Sequence, residues 1–249
     1  RHFEEGILAV VFDTLDRIQH MFWRDRPEIV EEWYAKLDTL VGKVEQQLAA
    51  KGGDPVQMVI VSDHGFTSFD YKVHLNRWLI DHGYLKMGDN GQGGSLKAVD
   101  WSQSQAYAVG LNSLYLNLEG REGQGSVPAS QSEVLASKIG NQLLTWAGPD
   151  GQPIVHRIEL RQDAFHGPYA TRGPDLVIGY SPGYRASAET GLGKWSENEI
   201  EVNTDHWGAD HCVYPEAVAG VLFCSQGLAG LSRPSYRDIP ALTVGVDLK

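Results

Sequence analysis

"VIVSDHGF", residues 59–66, is an apolar run that stops on a carboxylate, an imidazole and a glycine. An unbroken Val/Ile run of this length predicts a strand buried on both faces. Asp-Gly alone would make the turn that follows, so the intervening histidine needs another reason. A carboxylate beside a neutral imidazole is a pair of hard and borderline metal ligands. Open α/β sheets place their ligands beyond the carboxyl ends of strands.

On either side of this stretch the chain reads as an α/β protein. "ILAVVF" (7–12) and "VQMVIVS" (56–62) both predict buried strands. Between them, residues 26–53 predict a helix. Pro27 sits where a first turn tolerates it, Gly52-Gly53 ends it, and Ile29, Val30, Trp33, Leu37, Leu40, Val41, Val44 and Leu48 form one apolar stripe. Residues 7–62 are therefore expected to be a strand–helix–strand unit of a parallel sheet. "AGVLFCS" (219–225) predicts another buried strand.

The middle of the chain has a different texture. "LNRWLIDHG" predicts a short helix ending at Gly83, and "GDNGQGG" (88–94) a loop. That loop lacks the Gly-Lys-Ser/Thr ending of a phosphate-binding P-loop. "AYAVG" and "SLYLNLEG" predict antiparallel strands, and "PIVHRIEL" and "PDLVIGY" further strands. Ser132 is expected to cap a helix carrying Leu135, Ile139 and Leu143. Residues from about 84 to 160 are expected to form an insertion or cap on the α/β core.

The 249 residues carry a formal net charge of −11, which opposes binding to nucleic acid or to anionic membranes. It would also repel an anionic substrate unless bound cations reversed the field locally. No stretch approaches the roughly 20 apolar residues of a membrane span. Cys212 and Cys224 form neither a disulfide framework nor a Cys-x-x-Cys site, and read as free thiols of a reducing compartment. With no secretory signal in "RHFEEG", the expected location is cytoplasmic.

Three segments carry candidate chemistry. "FDTLDRIQHMFW" (12–23) sets Asp16 and His20 four residues apart, on one face of a helical turn. The strand end at 63–64 offers Asp63 and His64. "NTDHWGADHCVYPE" (203–216) holds Asp205, His206, Asp210 and His211. Each pair alone has an ordinary explanation, an ion pair or a turn; together they favour a metal site. His74, His82, His156 and His166 read as packing or surface residues, and His206 is open between that role and the site. Ser62 and Thr67 read as hydrogen-bonding residues of the strand end rather than nucleophiles.

In this order, Asp-x-x-x-His, Asp-His-Gly and Asp-His resemble the alkaline phosphatase superfamily, in its type I phosphodiesterase/nucleotide pyrophosphatase branch. "TLDRIQHMFWR", "VHLNRWLIDHGYL", "GPDLVIGYSPGYR" and the stretch from Val99 to Gly125 extend the likeness over nearly the whole chain. The resemblance implies an incomplete catalytic domain over 1–249: an α/β/α sandwich with a mostly parallel central sheet and an inserted α+β region. It implies two divalent metals, usually zinc, with manganese the other candidate. Asp16, His20 and His211 resemble the ligands of one metal, and Asp63 and His64 two ligands of the other. The family's remaining Asp ligand and its Thr or Ser nucleophile precede these motifs, so they are expected upstream of Arg1, and the isolated chain is expected to be inactive. In the family's double displacement that hydroxyl attacks phosphorus, the alcohol leaves, and water hydrolyses the phospho-enzyme. The implied function is hydrolysis of a small phosphoric ester or nucleotide. A phosphomutase, a phosphonate hydrolase and a catalytically silent metal- or phosphate-binding module are the alternatives.

Overall fold

The computed structural model describes residues 6–53, 56–88, 94–227, 231 and 233–244. Its first regular elements are two helices packed on each other, α1 (Thr14–Phe22) and α2 (Pro27–Lys51). Pro27 lies in the first turn of α2, where a missing N–H costs nothing, and Gly52 ends the helix at φ 67°. The predicted stripe is only partly covered: Val30 is buried, Trp33, Leu37 and Val41 are half-buried, and Leu40 and Val44 are exposed.

Residues 7–12 depart from expectation. They form no strand, and their side chains are exposed, Val11 to 89%. An apolar run with no polar face needs cover on both sides to be a stable strand, and no described segment supplies it. The strand β1 (Val59–Val61) forms as predicted but is not buried. It pairs with β10 (Leu222–Cys224) in register Val59↔Cys224, Ile60↔Phe223, Val61↔Leu222. This two-stranded ladder is antiparallel, and Phe223 is 61% exposed. The expected parallel strand–helix–strand unit is therefore absent among the described residues.

A second sheet is built on β2 (Thr67–Val73). It pairs in parallel with β7 (Gly183–Ala186) and antiparallel with β8 (Ile200–Val202) and with the two-residue β9 (Ala209–Asp210). The third sheet runs β3 (Ala106–Ala108), β4 (Ser113–Leu116), β6 (Leu176–Tyr180), β5 (Val155–Leu160), all antiparallel. The fold is α/β as expected, but the β2–β7 ladder is the one parallel pairing among the described strands.

The core lies where α3 (Leu75–Asp81) and α4 (Ser132–Leu144) cover the third sheet. Trp78 and Leu79 from α3, Ile139 and Leu143 from α4, and Leu114, Leu116, Leu176 and Ile178 from the strands are buried. Gly140 brings α4 onto the sheet: a Cβ there would touch Ile158 and Leu176 at 3.3 and 3.5 Å. Gly83 follows α3 at φ 79°, as predicted. Ser132 opens α4 but does not cap it; its hydroxyl donates to the Ala129 carbonyl at 2.7 Å. The other α-helices among the described residues are short: α5 (Arg161–Ala164), α6 (Ala188–Gly191) and α7 (Ile239–Val244). Of the predicted loop 88–94, residues 89–93 lie outside the described residues, as does most of "RHFEEG". No described helix is long and apolar enough to cross a membrane.

Candidate metal centre

The three segments singled out by their Asp and His residues meet. α1 contributes Asp16 and His20, the turn after β1 contributes Asp63 and His64, and the loop after β9 contributes His211. Their convergence point is one oxygen. Asp16 Oδ1 lies 3.6 Å from His20 Nε2, 3.7 Å from His211 Nε2 and 3.9 Å from His64 Nε2. It is buried and has no hydrogen-bond partner among the described residues.

The imidazoles are held so that their other nitrogens are spoken for. His20 Nδ1 is 2.8 Å from the Ala209 carbonyl, and His64 Nδ1 is 2.9 Å from the Gly65 carbonyl. A carbonyl only accepts, so both Nδ1 atoms carry a proton, and in the neutral rings both Nε2 atoms present a lone pair toward Asp16. Lone pairs directed at a carboxylate oxygen repel unless a cation sits among them. Bonds of about 2.0–2.2 Å in tetrahedral geometry would set donor atoms roughly 3.3–3.6 Å apart, close to the distances here. Asp16, His20 and His211 each offer an atom within 4.8 Å of the others. The donor set fits a divalent ion of the zinc type.

Asp63 stands apart. Its side chain is 82% exposed, and its carboxylate lies 3.6 Å from His64 Nε2. Asp205 accepts from Lys72 Nζ at 3.2 Å, and its carbonyl from Arg24, outside the cluster. His206 is exposed. Ser62 Oγ accepts the Val221 N–H at 2.9 Å, and Thr67 Oγ1 makes a long contact, 3.5 Å, to the Ser68 carbonyl. His74 is buried beside Ser187 and Glu201, and His82 bonds the Trp78 carbonyl; both are packing residues.

Close backbone approach makes the meeting possible. Gly65 donates its N–H to Val218 at 2.6 Å, and a Cβ on it would lie 2.8 Å from the Ala219 carbonyl oxygen. Gly208 lets its loop lie against α1: its N–H bonds the His20 carbonyl, and a Cβ would meet the Arg24 guanidinium at 2.8 Å.

Three residues around the cluster, Phe66, Trp207 and Arg185, escape a reading by ligand type. Phe66 presents its ring edge-on to His20, His64 and His211 at 4.8, 5.4 and 5.5 Å. Trp207 stacks on His20 at 4.0 Å. Arg185 pairs with the buried Asp210. Burial alone would raise the Asp210 pKa; the Arg185 charge, the Trp207 N–H and the Cys212 N–H outweigh it and hold the carboxyl well below its usual range. Their signal in the sequence is weak, an aromatic directly after Asp-His-Gly and a Trp within the His-rich loop. Burial, then the neighbouring His64, lowers the His211 pKa. Burial, then Asp210, pushes the Cys212 thiol up to about 12, so it stays protonated. Both cysteines are free.

A family model described as type I phosphodiesterase/nucleotide pyrophosphatase matches residues 4–207. Asp16, His20, Asp63 and His64 fall inside that span, and His211 just beyond it. No curated protein and no solved structure matches the chain.

Proposed function

The chain belongs to the type I phosphodiesterase/nucleotide pyrophosphatase family, and from that premise we propose that it is the metal-holding part of a hydrolase of small phosphoric esters or nucleotides. The observation that carries the reading is the buried, unpartnered Asp16 Oδ1 with three imidazole nitrogens aimed at it. Asp16, His20 and His211 hold one divalent cation, zinc by donor type. Asp63 and His64 hold part of a second. When bound, such a pair of cations offsets charge on the attacking and leaving oxygens of a phosphoryl group.

The chain's own residues bind and orient. His20 and His64 keep their Nδ1 protons on backbone carbonyls, so their Nε2 atoms stay available. Phe66, itself buried, packs edge-on against His20, and the more exposed Trp207 stacks on the same ring. A net charge of −11 makes cation binding a precondition for admitting an anionic ester. The hydroxyl nucleophile and the remaining carboxylate ligand come, in this reading, from a segment outside these 249 residues. The engagement of Ser62 Oγ and the exposure of Asp63 support that assignment.

Hydrolysis of bis-p-nitrophenyl phosphate tests it. The full-length protein turns it over with zinc or manganese, and His20→Ala or Asp63→Ala abolishes turnover. Residues 1–249 alone are expected to stay near a metal-only control. Robust turnover by these residues alone, lost in His211→Ala, would put the nucleophile inside the chain, with Ser62 and Thr67 the first to mutate.

A further inference from the structure

We propose that Asp210 is a positioning residue that sets the two imidazoles of the centre, His20 and His211, without itself being a ligand. It is 2% exposed, and both its oxygens are occupied. Oδ1 accepts the N–H groups of His211 at 2.7 Å and Cys212 at 3.0 Å. Oδ2 accepts Trp207 Nε1 at 3.0 Å and Arg185 Nε. Arg185 is fixed in turn: it donates to the Ala186 carbonyl at 2.9 Å and lies over the Phe69 ring at 5.5 Å. Oδ2 also lies 3.9 Å from His20 Nδ1, and Asp210, His211 and Cys212 offer atoms within 4.8 Å of one another, but each Asp210 oxygen already accepts two hydrogen bonds and its charge is compensated by Arg185.

Three of the four donors that Asp210 accepts, all but Arg185, bear on an imidazole. The His211 and Cys212 N–H bonds fix the backbone from which the His211 ring leaves. The Ala209 carbonyl, one residue away, accepts His20 Nδ1–H at 2.8 Å and so sets the tautomer. The Trp207 indole, pinned by its N–H, stacks on His20 at 4.0 Å. One carboxylate thus couples β9 to the orientation of two ligand candidates that lie on different elements. The inference deepens the metal-centre reading and rests on it for its consequence, metal affinity. The orientation itself is measurable without metal.

The experiment uses the metal-free protein first. Long-range nitrogen–proton correlation spectra report the tautomer of each histidine ring. In the wild type His20 shows the Nδ1–H form alone. In Asp210→Asn an amide N–H must face Arg185, Trp207 or the two backbone donors, so the loop shifts and His20 becomes a mixture of tautomers. Zinc affinity, read by competition with a chromophoric chelator, falls about 10- to 100-fold, the usual range for residues that orient ligands. Trp207→Phe keeps the stack and deletes one donor to Asp210; its affinity loss is several-fold. It also serves if Asp210→Asn does not fold. Unchanged tautomers, with zinc affinity within about twofold of wild type in the variants that fold, would overturn the proposal. If the wild type binds no zinc, the metal reading fails, and the tautomers of the metal-free proteins still decide the role of Asp210.

Discussion

The rings of His64 and His211 lie face to face, centroids 3.5 Å apart and planes 15° from parallel. Two imidazolium ions cannot share that spacing at low cost, and burial together with His64 already lowers the His211 pKa. Folded His211 thus takes up a proton less readily than the unfolded residue, so protonation favours unfolding. Its contribution to stability is complete above the ordinary histidine value of about 6.5 and is lost as pH falls through that value toward the lower folded-state pKa. The urea midpoint of the metal-free protein should therefore fall between pH 7.5 and pH 5. His211→Asn should flatten that slope, and an equally steep slope in the variant would assign it to other groups.

Asp16 predicts an opposition between stability and binding. Its buried Oδ1 lacks a partner, and three nitrogens present or can present lone pairs to it. In Asp16→Asn the amide donates to one of them and removes a charge. The metal-free variant should be more stable by about 1 kcal/mol, a rise of a few degrees in Tm. It should also lose tight zinc binding. Calorimetry in chelator, then with added zinc, reads both; a lower metal-free Tm would mean that the oxygen is better satisfied than its neighbours suggest.

Gly65 is where the turn carrying His64 touches the chain before β10. A methyl group there meets a backbone oxygen at 2.8 Å, and backbone cannot swing aside as a side-chain tip can. Gly65→Ala should cost about 1–3 kcal/mol and weaken zinc binding by moving His64. Gly123→Ala, whose Cβ would enter open space, is the matched control and should be nearly neutral. Equal denaturant midpoints for the two variants would refute the close-contact argument.

The site was more legible in the sequence than the sheet around it, for a physical reason. Asp16 and His20 share a face wherever their segment is helical, and Asp63-His64 falls at a strand end whichever way the strand pairs. Ligand type and local spacing survive errors in topology. Strand direction does not follow from an apolar run: "VIV" fits a parallel or an antiparallel neighbour equally, and β1 takes the antiparallel β10. Burial of residues 7–12 depends on a covering layer that the run itself cannot specify. The Asp210–Arg185 pair joins β9 to β7, a contact between distant segments with no local spacing to announce it.

The last prediction concerns the number of metals that these residues hold. Tight zinc sites supply three or four protein donors. Asp16, His20 and His211 supply three, on elements fixed by the Gly208 N–H on the His20 carbonyl and the His211 N–H on the Asp210 carboxylate. Asp63 and His64 supply two. One of these, Asp63, is 82% exposed, so ordering it costs side-chain entropy on binding. The other, His64, lies 3.9 Å from the same Asp16 oxygen, so the two metals would compete for it. Titration of this chain with zinc should show one tight equivalent and a second that is weaker by orders of magnitude. His20→Ala should remove the tight equivalent. Asp63→Ala should remove the weak one and leave the tight one within a few-fold of wild type. Two equally tight equivalents, both surviving Asp63→Ala, would show that another carboxylate completes the second site and that the division of ligands drawn here is wrong.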